Sequence, residues 1–201
     1  MTKTVSALYD SYTEASAAVS ALEAAGFPHS DVSLVANNTE KWHRGGDASD
    51  AADDAGKGAG IGAALGGAGG LLAGLGMLAI PGLGPVVAAG WLASTAAGAL
   101  AGAAVGGAAG GLVGALTDAG VPERDAHTYA EGVRRGGALV TARVEDARAS
   151  EAQAILQRHR SVDVNARRAA YEQGGWRAFD PSAPAYTTDE IARERALYRS
   201  V

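Results

Sequence analysis

Residues 58–117 read GAGIGAALGGAGGLLAGLGMLAIPGLGPVVAAGWLASTAAGALAGAAVGGAAGGLVGALT, a run without a single charged residue. Gly58, Gly62, Gly66, Gly70 and Gly74 recur every fourth residue ahead of Pro81-Gly82-Leu83-Gly84-Pro85, and Gly98, Gly102, Gly106, Gly110 and Gly114 follow it. On an α-helix, a four-residue spacing keeps these positions on one slowly drifting face. A glycine inside a helix costs roughly 1 kcal/mol against alanine, so a register of them asks for a compensating gain. Close backbone approach supplies one: a helical hairpin turning at Pro81, Gly82, Gly84 and Pro85, its two arms touching along their glycine faces.

The first arm is sorted by size as well. At about 100° per residue, Ile61, Leu65, Leu71, Leu72, Leu75 and Leu78 fall opposite the glycine stripe. A helix apolar all round belongs in lipid or inside a larger protein body. Arms running over 58–80 and 86–117 are long enough for a hydrocarbon core of ~30 Å, although glycine and alanine are only weakly hydrophobic. The expected partners are therefore a lipid bilayer, further copies of this chain, or both. Trp91 reads as an interfacial anchor or as a filler among glycines, and Ser94 and Thr95 need hydrogen-bond partners in either setting.

The chain has 201 residues, a formal charge of −5 and no cysteine. That length fits one domain with an insertion. The absence of cysteine excludes a disulfide framework and thiol chemistry, and the mild acidity argues against nucleic acid as a partner. Met1-Thr2-Lys3-Thr4-Val5 does not open a secretory signal. The expected location is a cytoplasmic domain associated with the inner membrane through the hairpin.

Thr4–Tyr9 alternates as a strand, and Ser11 and Glu14 fit a capping box for a helix that stops at Gly26. Val32, Leu34 and Ala36 make a second strand. Asp47, Asp50, Asp53 and Asp54 in the polar joint that follows suit a helix start better than a metal cluster. After the insertion, Pro122–Asp125 opens an amphipathic helix closed by Gly136-Gly137. Val140, Ala142 and Val144 then alternate as a strand, 147–159 reads as a helix, and Val162, Val164 and Ala166 as a last strand. Two β-α-β halves make an α+β fold: a ferredoxin-like four-stranded antiparallel sandwich with helices on one face, interrupted by the Gly/Ala-rich hairpin. The expected divisions are 1–37 for the first half, 38–57 for the acidic linker, 58–119 for the hairpin, 120–170 for a helix plus the second half, and 171–201 for a tail. In the tail Thr187 and Glu190 cap a short helix, and Trp176, Phe179 and Tyr186 are expected to dock on the sandwich or a neighbouring subunit.

Catalytic, cofactor-binding and metal residues are not found. His29, His43, His127 and His159 lie on different elements without ligand spacing. Gly74–Ala79 matches a dinucleotide fingerprint only formally, and Lys57 precedes Gly58 where a phosphate loop needs Ser or Thr. Arg134 and Arg135, with Arg124 nearby, form a basic patch suited to lipid headgroups or, more simply, to a solvated helix end.

Three stretches, Val5–Asp10, Ala21–Phe27 and Asp31–Val35, resemble the bacterial general stress protein family and its heat-induced stress-protein domain. Ala79–Pro85 and Tyr129–Gly137 are similar to its glycine-rich members. The resemblance covers most of residues 3–167 and implies a stress-associated protein without supplying catalytic residues. The leading expectation is a non-enzymatic structural protein whose hairpin enters a membrane or mediates self-assembly. The alternative is a ferredoxin-like small-ligand or regulatory module whose hairpin is buried in a homo-oligomer.

Overall fold

The computed structural model describes residues 2–43, 71, 75–95 and 111–198. Five strands form one antiparallel sheet: β1 (Thr2–Tyr9), β2 (Val32–Asn37), β3 (Gly76–Ile80), β4 (Gly84–Gly90) and β5 (Ala138–Glu145), in the order β1-β5-β2-β4-β3. The helices are α1 (Tyr12–Ala24), α2 (Leu112–Asp118), α3 (Glu123–Arg134), α4 (Ala149–Arg158), α5 (Val164–Gln173) and α6 (Thr188–Tyr198). A 3₁₀ turn over Asp146–Arg148 precedes α4, and 91–95 is helical.

Strand alternation sorts the core into two clusters. On one face Val5, Ala7 and Tyr9 of β1, Val32, Leu34 and Ala36 of β2, and Ala138, Val140 and Ala142 of β5 meet α1 and α4. On the other face Leu8, Val35, Val86, Ala88 and Leu139 meet α2 and α3. Every residue of β2 is buried, as expected of a strand covered on both sides. The molecule is therefore α+β in three layers, with helices on both faces of the sheet, where the sequence led us to expect one.

The first half forms as the sequence indicates. β1 and β2 lie parallel with α1 between them, and β5 inserts antiparallel to both: Ala7 pairs with Val140, and Val140 with Leu34. The expected last strand does not form. The Val162 N–H donates one hydrogen bond to the Leu8 carbonyl at 2.8 Å. Asp163 then accepts from the N–H groups of Asn165 and Ala166 and starts α5. An N-capping aspartate overrides the short apolar alternation around it, so the four-stranded ferredoxin-like arrangement gives way to a five-stranded sheet.

The helical-hairpin expectation is also corrected over 76–90. The chain does reverse at Pro81–Leu83, but it joins two strands there, with Leu78 opposite Val86. None of the ten fourfold-spaced glycines lies within 76–90, so the helical spacing does not extend to these residues. The β-branched pair Val86-Val87 favours the sheet. Gly90 is required here: its φ is +83°, and a Cβ on it would collide with the Val32 carbonyl oxygen. Gly114 lies in α2, whereas Gly58, Gly62, Gly66, Gly70, Gly74, Gly98, Gly102, Gly106 and Gly110, with Asp47, Asp50, Asp53 and Asp54, fall outside the described residues. Among the described residues, no helix is long and apolar enough to cross a membrane. The Ser94 and Thr95 hydroxyls donate to the Trp91 carbonyl at 2.8 and 2.9 Å. The Trp91 ring is half-buried, with the Arg143 guanidinium 4.7 Å from its centre.

Candidate functional site

β1 and β2 run in the same direction, so Asp10 and Asn37, which end them, arrive at one edge of the sheet beside Gly136-Gly137 at the start of β5. A cleft of about 880 Å³ opens there. Its walls are the first turn of α1, the turn carrying Glu40 and Trp42, the approach to α5 from Arg160 to Asp163, and two residues of α6, Arg195 and Tyr198.

Charge is dense in this cleft and mostly compensated. Arg167 holds Asp10 in a two-point ion pair, at 2.7 and 2.9 Å, and its guanidinium lies 3.6 Å from the centre of the Tyr198 ring. Burial opposes the Arg167 charge, yet the Asp10 hydrogen bond and the nearby Tyr171 and Asp10 outweigh it and raise its pKa. Arg195 bridges Glu40 at 2.6 Å and the Gly136 carbonyl at 3.0 Å. Its Nε is enclosed without an acceptor among the described residues. Ser11 caps α1 as read: the Glu14 N–H donates to its hydroxyl at 3.3 Å, and that hydroxyl donates to the Glu14 carboxylate at 3.0 Å. Arg160 stands 3.9 Å from Glu14 and is largely in solvent.

Aromatic surface lines the same space. Trp42 stacks on Tyr12 with ring centres 4.2 Å apart and stays partly exposed. Its Nε1 donates to the Asn37 carbonyl at 2.8 Å, which fixes the ring plane. Burial raises the pKa of the Tyr12 hydroxyl. Among the described residues, the two non-glycine residues with left-handed backbone are Lys41 (φ 53°) and Arg160 (φ 61°), and both flank this cleft. Strained backbone of this kind clusters where the surrounding structure must hold a geometry.

The tail sets the position of α6, and with it Arg195 and Tyr198. Glu131 of α3 is fully buried and accepts from Arg135 at 2.7 Å and from Arg134 at 3.2 Å. Arg134 also donates to the Pro184 carbonyl at 3.1 Å, Arg135 to Glu194 of α6 at 3.1 Å, and the Tyr186 ring centre lies 4.9 Å from the Arg134 guanidinium. Arg134 and Arg135 are thus covered by the tail, which corrects their reading as a solvated helix end or lipid patch. Trp176 packs edge-on against Tyr171 at 5.7 Å, and the Phe179 N–H donates to His127 at 3.2 Å. The tail aromatics dock on the body of the domain. α5 is clamped beside them through Arg168, which pairs with Asp125 and donates to Thr128 at 2.9 Å.

Of the ten glycines only Gly114 is described, and it lies in α2 away from this cleft, while Gly82 of the turn Pro81–Pro85 lies under the tail against Phe179, Asp180 and Pro181. The residues that do line the cleft went unnoticed as a group in the sequence. Asp10 and Arg167 are 157 positions apart, and no local pattern links them.

Residues 4–82 match the family model described as heat-induced stress protein YflT domain. No curated protein and no solved structure matches the chain.

Proposed function

We propose that this chain, whose residues 4–82 match the heat-induced stress protein YflT domain, is a stress-associated, non-catalytic binding module that holds a small ligand in the cleft beneath α6. The cleft itself carries the reading. Its volume of about 880 Å³ suits a small molecule, for which pockets of ~300–1,000 Å³ are usual. Its carboxylates are held in ion pairs or caps, an arrangement that positions groups and does not poise a base beside a nucleophile. A thermal-shift screen of small molecules tests this. A ligand present at about a hundred times its Kd raises stability by ~2.7 kcal/mol, and Trp42→Ala should erase the shift. A shift that survives Trp42→Ala undiminished, or no shift from any compound, refutes the cleft as the site.

Self-assembly through the uncharged segments is a second reading, favoured by one contact. A Cβ on Gly90 would lie 3.1 Å from the Leu71 side chain, so one residue of the first Gly/Ala-rich stretch touches the end of β4. With 76–90 engaged in strands and Leu112, Ala115 and Leu116 in the core, the uncharged sequence on either side of these strands is 58–75 and 91–111. Gly66→Leu and Gly106→Leu should then lower the mass measured by light scattering. Unchanged mass in both variants counts against the reading.

A further inference from the structure

We propose that His127 is a pH-sensitive latch for the tail: protonation of its Nδ1 removes the acceptor of the Phe179 N–H and loosens the chain between α5 and α6. The latch goes beyond the cleft-binding reading and operates with the cleft empty or filled.

The geometry at one atom carries the proposal. His127 lies half-buried on α3, and the Phe179 N–H donates to its Nδ1 at 3.2 Å. A ring nitrogen that accepts carries no proton, so neutral His127 keeps its hydrogen on Nε2. A second proton turns the acceptor into a donor, and two N–H groups then face each other. The Phe179 amide has little freedom to turn away. Its ring is buried in the cluster that includes Ile80, Leu83 and Leu116, and Gly82 packs against Phe179, Asp180 and Pro181. Turning that amide to water means shifting the ring within the core, and leaving it unpaired costs a hydrogen bond.

The surrounding charges do not reverse the sign. On α3, Glu123 stands 3.9 Å from Nε2, Arg124 pairs with Glu172 of α5, and Glu131 is taken by Arg134 and Arg135. α5 also holds Arg168 against Asp125. Glu123 shares a helix with His127, so its attraction is the same with the tail seated or loose. The tail itself brings Arg177 and Asp180, opposite in charge and both exposed, and the turn Pro81–Pro85 carries no charge. What changes on seating is the hydrogen bond, so the neutral ring belongs to the seated tail and the protonated ring to the loose one. Further along, Arg134 holds the Pro184 carbonyl and Arg135 holds Glu194. Those groups keep their charge between pH 5 and 8, the range in which an imidazole changes its own. Loosening is therefore confined to 177–183. That stretch links α5 to α6, and both helices contribute residues to the cleft wall.

Amide hydrogen exchange of the full chain at pH 7.5 and 5.0, expressed as protection factors, tests the latch. A free imidazole titrates near pH 6.5, so protonation at pH 5.0 can shift the seating equilibrium by at most ~30-fold. The protection factor of the Phe179 amide should fall about tenfold, while those of Leu139 and Val140 in β5 stay unchanged. His127→Asn, whose carbonyl oxygen sits near the Nδ1 position and does not titrate, should remove the pH dependence, and so should His127→Ala. Circular dichroism melts at both pH values confirm that each variant is folded. Phe179 protection that is unchanged or higher at pH 5.0 overturns the latch. The same fall in either variant overturns it too, because another group then titrates. An equal fall at Leu139 and Val140 marks global unfolding and overturns it as well.

Discussion

Glu131 has no exposed surface, and its carboxylate is shared by two arginines that lie under the tail. Removing one partner of a buried pair costs about 3–5 kcal/mol. Both guanidinium groups here keep some exposure, so Glu131→Ala should cost near the lower end, about 3 kcal/mol, read as a lowered urea midpoint. Three buried tyrosines make alkaline pH a second stress. Burial, with the Asp125 charge adding and Arg168 opposing, pushes the Tyr129 hydroxyl up to about 12, and burial raises Tyr9 and Tyr171 as well. An unfolded tyrosine releases its proton near pH 10, so above that the folded state holds more protons than the unfolded one. Stability is complete below pH 10 and falls as pH rises through 12, by about 3 kcal/mol for Tyr129 alone. Denaturation curves from pH 9 to 12 should show the decline, and Tyr129→Phe should flatten it. Of this detail, the sequence revealed the caps at Ser11 and Thr187, because a cap and its partner sit three residues apart. The Glu131 cluster was hidden: its arginines were visible, but the tail that covers them joins it across fifty or more positions.

Elements were legible where one signal dominated. β1, α1, β2, α3, β5, α4 and α6 fall where periodicity and capping place them. The misreadings occurred where a pattern served two structures at once. The uncharged run over 76–90 suits helix and strand alike and holds none of the fourfold-spaced glycines, and the alternation over 162–166 is too short to outweigh the Asp163 cap. The sequence placed a turn between two helices at Pro81–Pro85, whereas the chain reverses at Pro81–Leu83 between two strands, and proline and glycine punctuate either kind of hairpin. That turn also seats the tail. Gly82 has φ +75°, and a Cβ on it would come within 2.8 Å of Pro181 and 2.9 Å of Phe179. Gly82→Ala should therefore loosen residues 179–186, seen as faster amide exchange there and a lower melting temperature. Unchanged exchange would show that the turn does not hold the tail.

At the scale of the molecule, the family match and the folding unit have different boundaries. Residues 4–82 supply β1, β2 and β3, and no two of these are neighbours in the order β1-β5-β2-β4-β3. The strands that join them, β4 and β5, begin at Gly84 and Ala138. A fragment of 4–82 should be unfolded by far-ultraviolet circular dichroism, and a cooperative melt from it would contradict this topology. The split β-α-β core was legible from its sequence pattern. The outward growth of the sheet through β4 and β3 was not, because its residues sit in a run whose composition suits a membrane or a core equally well.

The late position of β5 has a consequence in time. The strand at the centre of the first half, between β1 and β2, ends at Glu145, more than a hundred residues after Asn37. At ~5–20 residues per second, a ribosome leaves β1 and β2 without their shared neighbour for roughly 5–20 s. During that interval two apolar edges, complementary to the same absent strand, are open to other nascent chains. Anything that slows elongation lengthens the exposure. The fold's weakest stage is thus set by strand order, before the finished sheet exists.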